Sequence, residues 1–191
     1  MPSTSEVGHA KNVANFADLI AYCTAYGTTY NPSKTALQLS SLNTLLASAQ
    51  SELTNVTTAK NAFDTVTGDR QVAFEPLKSL ATKIFNFISV TDATDQTIAD
   101  AKTINNRLQG RRAGTIAEIP APEGGTTQNT VSVSRQSYDS LTENFSVLID
   151  LVSSIPSYTP NEAELTTASL TTFHNNLQTA NTNVINAEVA Y

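Results

Sequence analysis

The sequence predicts an all-α protein: an elongated bundle of about six helices in which one long helical hairpin is used twice. Three observations predict it. Apolar residues recur three and four apart through every long segment, the period of a helix face and not of a strand. Gly and Pro fall mainly between those segments, where they punctuate. And the stretch Tyr30 to Phe63 returns 128 residues later as Tyr158 to Tyr191, with about twelve identities in thirty-four ungapped positions. Among the matches are Tyr30/Tyr158, Pro32/Pro160, Leu37/Leu165, Leu42/Leu170, Gln50/Gln178 and Val56/Val184. Leu45/Phe173 and Phe63/Tyr191 keep their character.

Residues 1–10 are Ser- and Thr-rich and read as a flexible arm. A first helix is expected over 11–26, with Val13, Phe16, Ile20 and Cys23 on one face, Leu19 beside it and Gly27 as its stop. Pro32 suits the first turn of a second helix, running to about Val66. There Leu39, Leu42, Leu46, Ala49, Leu53, Val56 and Phe63 make a heptad seam of coiled-coil type. Gly68-Asp69 is expected to break or kink the chain. A third helix follows over 70–90, with Pro76 imposing a kink or moving the true start to Glu75. Its core face is Leu77, Leu80, Ile84, Phe87 and Ile88. A fourth helix, capped by Thr94 or Asp95, runs to Gln109.

Residues 110–134 hold Gly110, Gly114, Pro120, Pro122, Gly124 and Gly125, and read as a long Pro/Gly/Thr-rich connection between halves of a single helical domain, 1–191. A fifth helix spans 135–155, with Tyr138, Leu141, Phe145, Leu148, Val152 and Ile155 in 3-4 alternation and Pro156 as terminator. The sixth repeats the second. Asn144-Phe145-x-x-Leu148-Ile149 also matches Asn15-Phe16-x-x-Leu19-Ile20, so the repeated unit is a whole hairpin, 11–66 and 135–191. The last helix has no stop signal, and the expectation is a frayed end at Tyr191 or a longer native chain. Thr is a poor helix former, so these helices draw their stability from packing of the stripes.

Composition narrows function mostly by exclusion. A net charge of −6 argues against a general nucleic-acid binder, which needs a basic face. Charged residues are only 15%, with Thr and Ser roughly a quarter of the chain. The single Cys excludes an intramolecular disulfide, and Cys23 reads as a buried apolar residue. No signal peptide or transmembrane segment is visible, so the chain reads as soluble, with no compartment implied.

Catalytic and metal patterns are missing. Glu6-Val7-Gly8-His9 has the spacing of a di-metal ligand pair but no second copy, and His174 has no carboxylate one turn away. Gly124-Gly125 lacks the Lys of a phosphate loop, and Asp92, Asp95 and Asp100 lack calcium-loop spacing. No catalytic, cofactor or metal residue is assigned. The basic cluster Lys102, Arg107, Arg111 and Arg112 suits a helix C-terminus, and Arg107, Arg111 and Arg112 are candidates for docking an acidic partner. Tyr22, Tyr26, Tyr30 and Tyr158 gather near the hairpin turns and are expected to pack on the following Pro.

The segments Ala101-Lys102-Thr103-Ile104-Asn105-Asn106, Gln136-Ser137-Tyr138-Asp139-Ser140-Leu141 and Tyr158-Thr159-Pro160-Asn161-Glu162-Ala163-Glu164-Leu165 resemble a family of uncharacterised bacterial helical proteins. The resemblance covers most of the chain. It implies a chain continuing past the second long helix and no catalytic residues. The expected function is a non-enzymatic structural or protein-interaction module, with a protein partner or self-association. A ligand- or metal-binding bundle and a membrane-active helical protein are the alternatives.

Overall fold

The structure, a computed structural model, describes residues 8–111 and 136–191. They are all-α: α1 His9–Ala25, α2 Leu39–Phe74, α3 Leu77–Ile88, α4 Asp95–Gln109, α5 Tyr138–Ser153 and α6 Thr167–Ala190, with 3-10 turns at Gly27–Thr29, Thr35–Leu37 and Ala163–Leu165. No strand occurs among the described residues. The chain divides into two compact units, Met1–Asp64 with Ala190–Tyr191, and Thr65–Val189. The division falls within α2. Of the 110–134 connection, only Gly110 and Arg111 are among the described residues.

Several expected boundaries move, and α1 already begins at His9, inside the expected 1–10 arm. The second helix begins at Leu39, not at Pro32. The Tyr30 hydroxyl donates to the Leu37 carbonyl at 2.7 Å, which folds the intervening residues into a loop closed by a 3-10 turn. Gln38 is then extended (φ −67, ψ 147), and the helix starts behind it. Gly68-Asp69 does not break the helix, which continues to Phe74. A glycine in a helix interior costs about 1 kcal/mol, less than a long packed helix gains by continuing. The break comes at Glu75-Pro76, because proline has no N–H to give and disfavours helical backbone in the residue before it. Residues 70–74 therefore belong to α2, and Pro76 caps α3.

Side-chain caps and a left-handed glycine set the ends of α4 where they are expected and move the start of α5. Thr94 Oγ1 accepts from the Thr97 N–H at 3.2 Å and opens α4. Gly110 closes it in the left-handed region (φ 74), the Arg111 N–H reaching back to the Asn106 carbonyl at 2.9 Å. Ser137 Oγ accepts from the Ser140 N–H at 3.2 Å, so α5 starts at Tyr138 and not at Arg135.

In the second unit α4 packs against both α3 and α5, and α3 also meets α5 and the Ala163–Leu165 turn. Ile84, Ile88, Leu108, Phe145, Leu148 and Leu170 are fully buried there. Each such side chain contributes about 1.5–3 kcal/mol of apolar burial. Gln109 ties α4 to α3 by donating to the Lys78 carbonyl at 2.7 Å. The last turns of α2 join this core: Phe74 lies edge-on to Tyr138 with centroids 4.7 Å apart, and the Arg70 guanidinium sits 4.2 Å above the same ring. In the first unit the buried apolar side chains among the described residues are Ile20, Cys23 and Leu42.

Two glycines should respond oppositely to alanine. Gly68 has nothing within 4 Å of an added Cβ, whereas at Gly110 the Cβ would meet Gln136 Cδ at 2.9 Å on a backbone already at positive φ. Gly68→Ala is expected to raise stability by about 1 kcal/mol. Gly110→Ala should lower it by about 1 kcal/mol or more. Denaturant melts of the two variants check both signs.

Candidate interaction surface

The two hairpins can be compared position by position. Thr35–Leu37 and Ala163–Leu165 are both 3-10 turns, and α2 and α6 both start two residues after them. Tyr158 donates its hydroxyl to the Leu165 carbonyl at 2.9 Å, just as Tyr30 does to Leu37 at 2.7 Å. The expected packing of Tyr22 and Tyr26 on the following proline is not what they do, since both rings are exposed. Tyr30 and Tyr158 instead serve as pins that set the turn.

Equivalent side chains differ sharply in burial. In the second hairpin Leu148, Ile155, Leu165 and Val184 are 0%, 7%, 3% and 5% exposed. Their counterparts in the first, Leu19, Tyr26, Leu37 and Val56, are 54%, 66%, 48% and 50% exposed. Leu45, at the place of the half-buried Phe173, is also exposed. Leu19, Tyr22 and Tyr26 are spaced three and four apart, so they share one face of α1. Exposed apolar residues scattered singly need no explanation, but an aligned stripe does.

In the second hairpin, the cover over this face is visible. Phe87 of α3 lies edge-on to Tyr158 with centroids 5.1 Å apart. Lys83 of α3 pairs with Glu164 at 2.7 Å, and both carboxylates of the turn, Glu164 first and Glu162 after it, hold the lysine above its ordinary pKa. In the first hairpin the same turn carries Lys34 in place of Glu162 and Ala36 in place of Glu164.

The hairpins differ in their inner seams as well. Val13, Leu46 and Leu53 of the first are replaced by Thr142, His174 and Asn181 of the second. These line an open groove of about 600 Å³ between α5 and α6, with Asp139, Glu143 and Gln178. Asn181 Nδ2 donates to Asp139 Oδ1 at 3.1 Å, which fixes the amide's orientation, and Asn181 Oδ1 is buried without a hydrogen-bond partner. His174 is half-buried, its ring 6.5 Å from that of Phe145.

Of the basic cluster, Arg107 lies in the last turn of α4, exposed, with its carbonyl accepting from Gln136 Nε2 at 2.8 Å. Lys102 and Arg111 are exposed, and Arg112 lies outside the described residues. Arg107 and Arg111 stand at the end of α4 that a helix dipole favours for cations, whereas Lys102 lies in the middle of the helix. Among the described residues no three His, Cys, Asp or Glu side chains group to hold a metal, and no helix is long and apolar enough to cross a membrane. The exposed face of α1 and α2 was not legible as a site from the heptads, which mark a face without saying what covers it. The sequence alignment of the two segments held the usable signal, because it pairs Leu19 and Leu45 with Leu148 and Phe173, whose burial can be read.

No family model, curated protein or solved structure matches the chain.

The Tyr158 pin should be visible in the pH dependence. Burial, and after it the Glu162 carboxylate, push the Tyr158 hydroxyl from the usual 10.0 up to about 12. The folded state therefore holds this proton more tightly than the unfolded chain. Its stabilising contribution is complete below pH about 10 and is lost as pH rises through about 12. Tyr158→Phe should remove that alkaline component and cost about 1 kcal/mol at neutral pH, by leaving the buried Leu165 carbonyl unpaired. Tyr30→Phe should cost less, because water reaches the exposed Tyr30–Leu37 bond. Stability profiles from pH 7 to 12 check this.

Proposed function

We propose that the protein is a non-enzymatic interaction module built from two copies of one helical hairpin. In the second copy the chain's own α3 and α4 cover α5 and the turn before α6, and the first presents the matching face to a partner. The observation that carries this reading is the contrast between Leu19, Tyr26, Leu37 and Val56, about half or more exposed, and their buried counterparts. An apolar helical stripe of this kind is a known mode of recognition, in which residues three and four apart anchor a partner helix. The matching 3-10 turns and tyrosine pins support the duplication.

The test separates a docking face from a structural one. Leu19→Ser with Leu45→Ser should leave the melting midpoint within about 2 °C of wild type, since exposed positions contribute little. Leu148→Ser, the counterpart of Leu19, should destabilise by about 2–5 kcal/mol, as large-to-small changes in a core do. Equal destabilisation by both would overturn the reading, because the stripe would then belong to the chain's own core.

A second reading, a ligand groove between α5 and α6, is favoured by the unpartnered Asn181 Oδ1 beside Asp139 and Glu143. A ligand completing this set would bring hydrogen-bond donors and positive charge. Asn181→Leu, which restores the residue type of the first hairpin, should raise the stability of the free chain by about 1 kcal/mol by removing the unpaired acceptor. Under the ligand reading, spermidine should shift the melt of the wild type and not of this variant. A shift in neither leaves the interaction reading alone.

A further inference from the structure

The two hairpin turns differ in charge as well as cover, and the difference says what kind of partner the first one takes. In the second copy the covering helix α3 places an aromatic edge on Tyr158 and a lysine on the turn's carboxylates, through Phe87 and Lys83. In the first copy the tyrosine pin and its bond are kept, so the apolar seat for an aromatic edge is kept. The carboxylates are not: Lys34 stands where Glu162 does, and Ala36 where Glu164 does. A helix like α3 seated there would find Ala36 in place of the carboxylate its lysine bonds and the positive Lys34 in place of the second carboxylate that favours it, and like charges at a contact are a standard means of excluding a wrong partner.

We infer that the exposed face of α1 and α2 binds a heterologous pair of amphipathic helices that resembles α3–α4 in its apolar stripe and carries a carboxylate, in place of Lys83, opposite Lys34. The inference rests on the docking reading above and adds the partner's chemistry. A second copy of this chain is the poorer occupant. Its α3 stripe is already buried, with Leu77, Ala81, Ile84 and Ile88 at 0–1% exposure, and the lysine on that helix has the wrong sign for Lys34.

The test uses the full chain with two synthetic peptides as probes. One has the sequence of residues 75–111, and the other has the same sequence with Lys83→Glu. Binding is followed by titration calorimetry at low salt. The Lys83→Glu peptide is expected to bind about three- to tenfold more tightly than the unaltered one, the range an exposed charge pair supports when attraction replaces repulsion. The difference should shrink in high salt. A chain carrying Lys34→Glu should reverse the preference. Leu19→Ser with Leu45→Ser should abolish binding of both peptides, which separates this face from exchange into the second hairpin.

The inference is overturned if neither peptide binds at millimolar concentration, if Lys34→Glu leaves the preference unchanged, or if binding survives the double serine variant. It is also overturned if the chain alone dimerises with concentration and the double serine variant does not, because the face would then take a second copy. Destabilisation by the double serine variant would instead sink the docking reading itself, so the two failures are told apart.

Discussion

The second unit depends on one packing arrangement, the burial of the α4 stripe between α3 and α5. Ala101 and Leu108 are inaccessible, as are Ile84 and Ile88 across from them and Phe145 and Leu148 on the other side. The helices involved are short, 12 to 16 residues each, and helices of that length are marginal alone, so this burial is what holds them. The polar bonds follow from it. Gln109 reaches the Lys78 carbonyl, and Lys83 reaches Glu164, only because the stripe has brought the helices together. Tyr158 is buried because Phe87 lies against it, and its hydroxyl then holds the turn from which α6 departs.

The abundance of threonine fits the same logic. A threonine in a helix competes for backbone hydrogen bonds, and here it settles the competition locally. Thr24, Thr44, Thr57, Thr82, Thr103, Thr142 and Thr182 each donate to the carbonyl one turn back. The hydroxyl is satisfied without a second element, so such a residue can stand on any face without dictating what packs there. That leaves association to the apolar stripes and to the few charges beside them, such as Lys83 and Glu164.

Much of the fold was legible for physical reasons that differ by element. The ends of α4 could be read because Thr94 and Gly110 act through local chemistry, a hydroxyl cap and a left-handed residue. The start of α2 could not, because it depends on the Tyr30 hydroxyl meeting a carbonyl seven residues on, which no local preference announces. Gly68 misled for the opposite reason: a glycine signals a break only when something else offers the chain a turn, and at 68 nothing does. Proline at 76 was the real break because its missing N–H is a property of the residue and not of its setting. The candidate site was the least legible part. Periodicity identified Leu19 and Leu45 as members of stripes, and only the burial of Leu148 and the partial burial of Phe173 showed that the same stripe can be closed in one place and open in another.

The uneven burial of the two units has a consequence for how the molecule comes apart. With Ile20, Cys23 and Leu42 as its buried apolar side chains among the described residues, the first unit buries far less apolar surface there than the second. Local opening begins where the fewest contacts resist it, so the amides of α1 and the first turns of α2 exchange with solvent through openings that leave α3, α4 and α5 intact. A partner seated on the open face would raise the cost of those openings, because anything that binds the closed form and not the open one stabilises it.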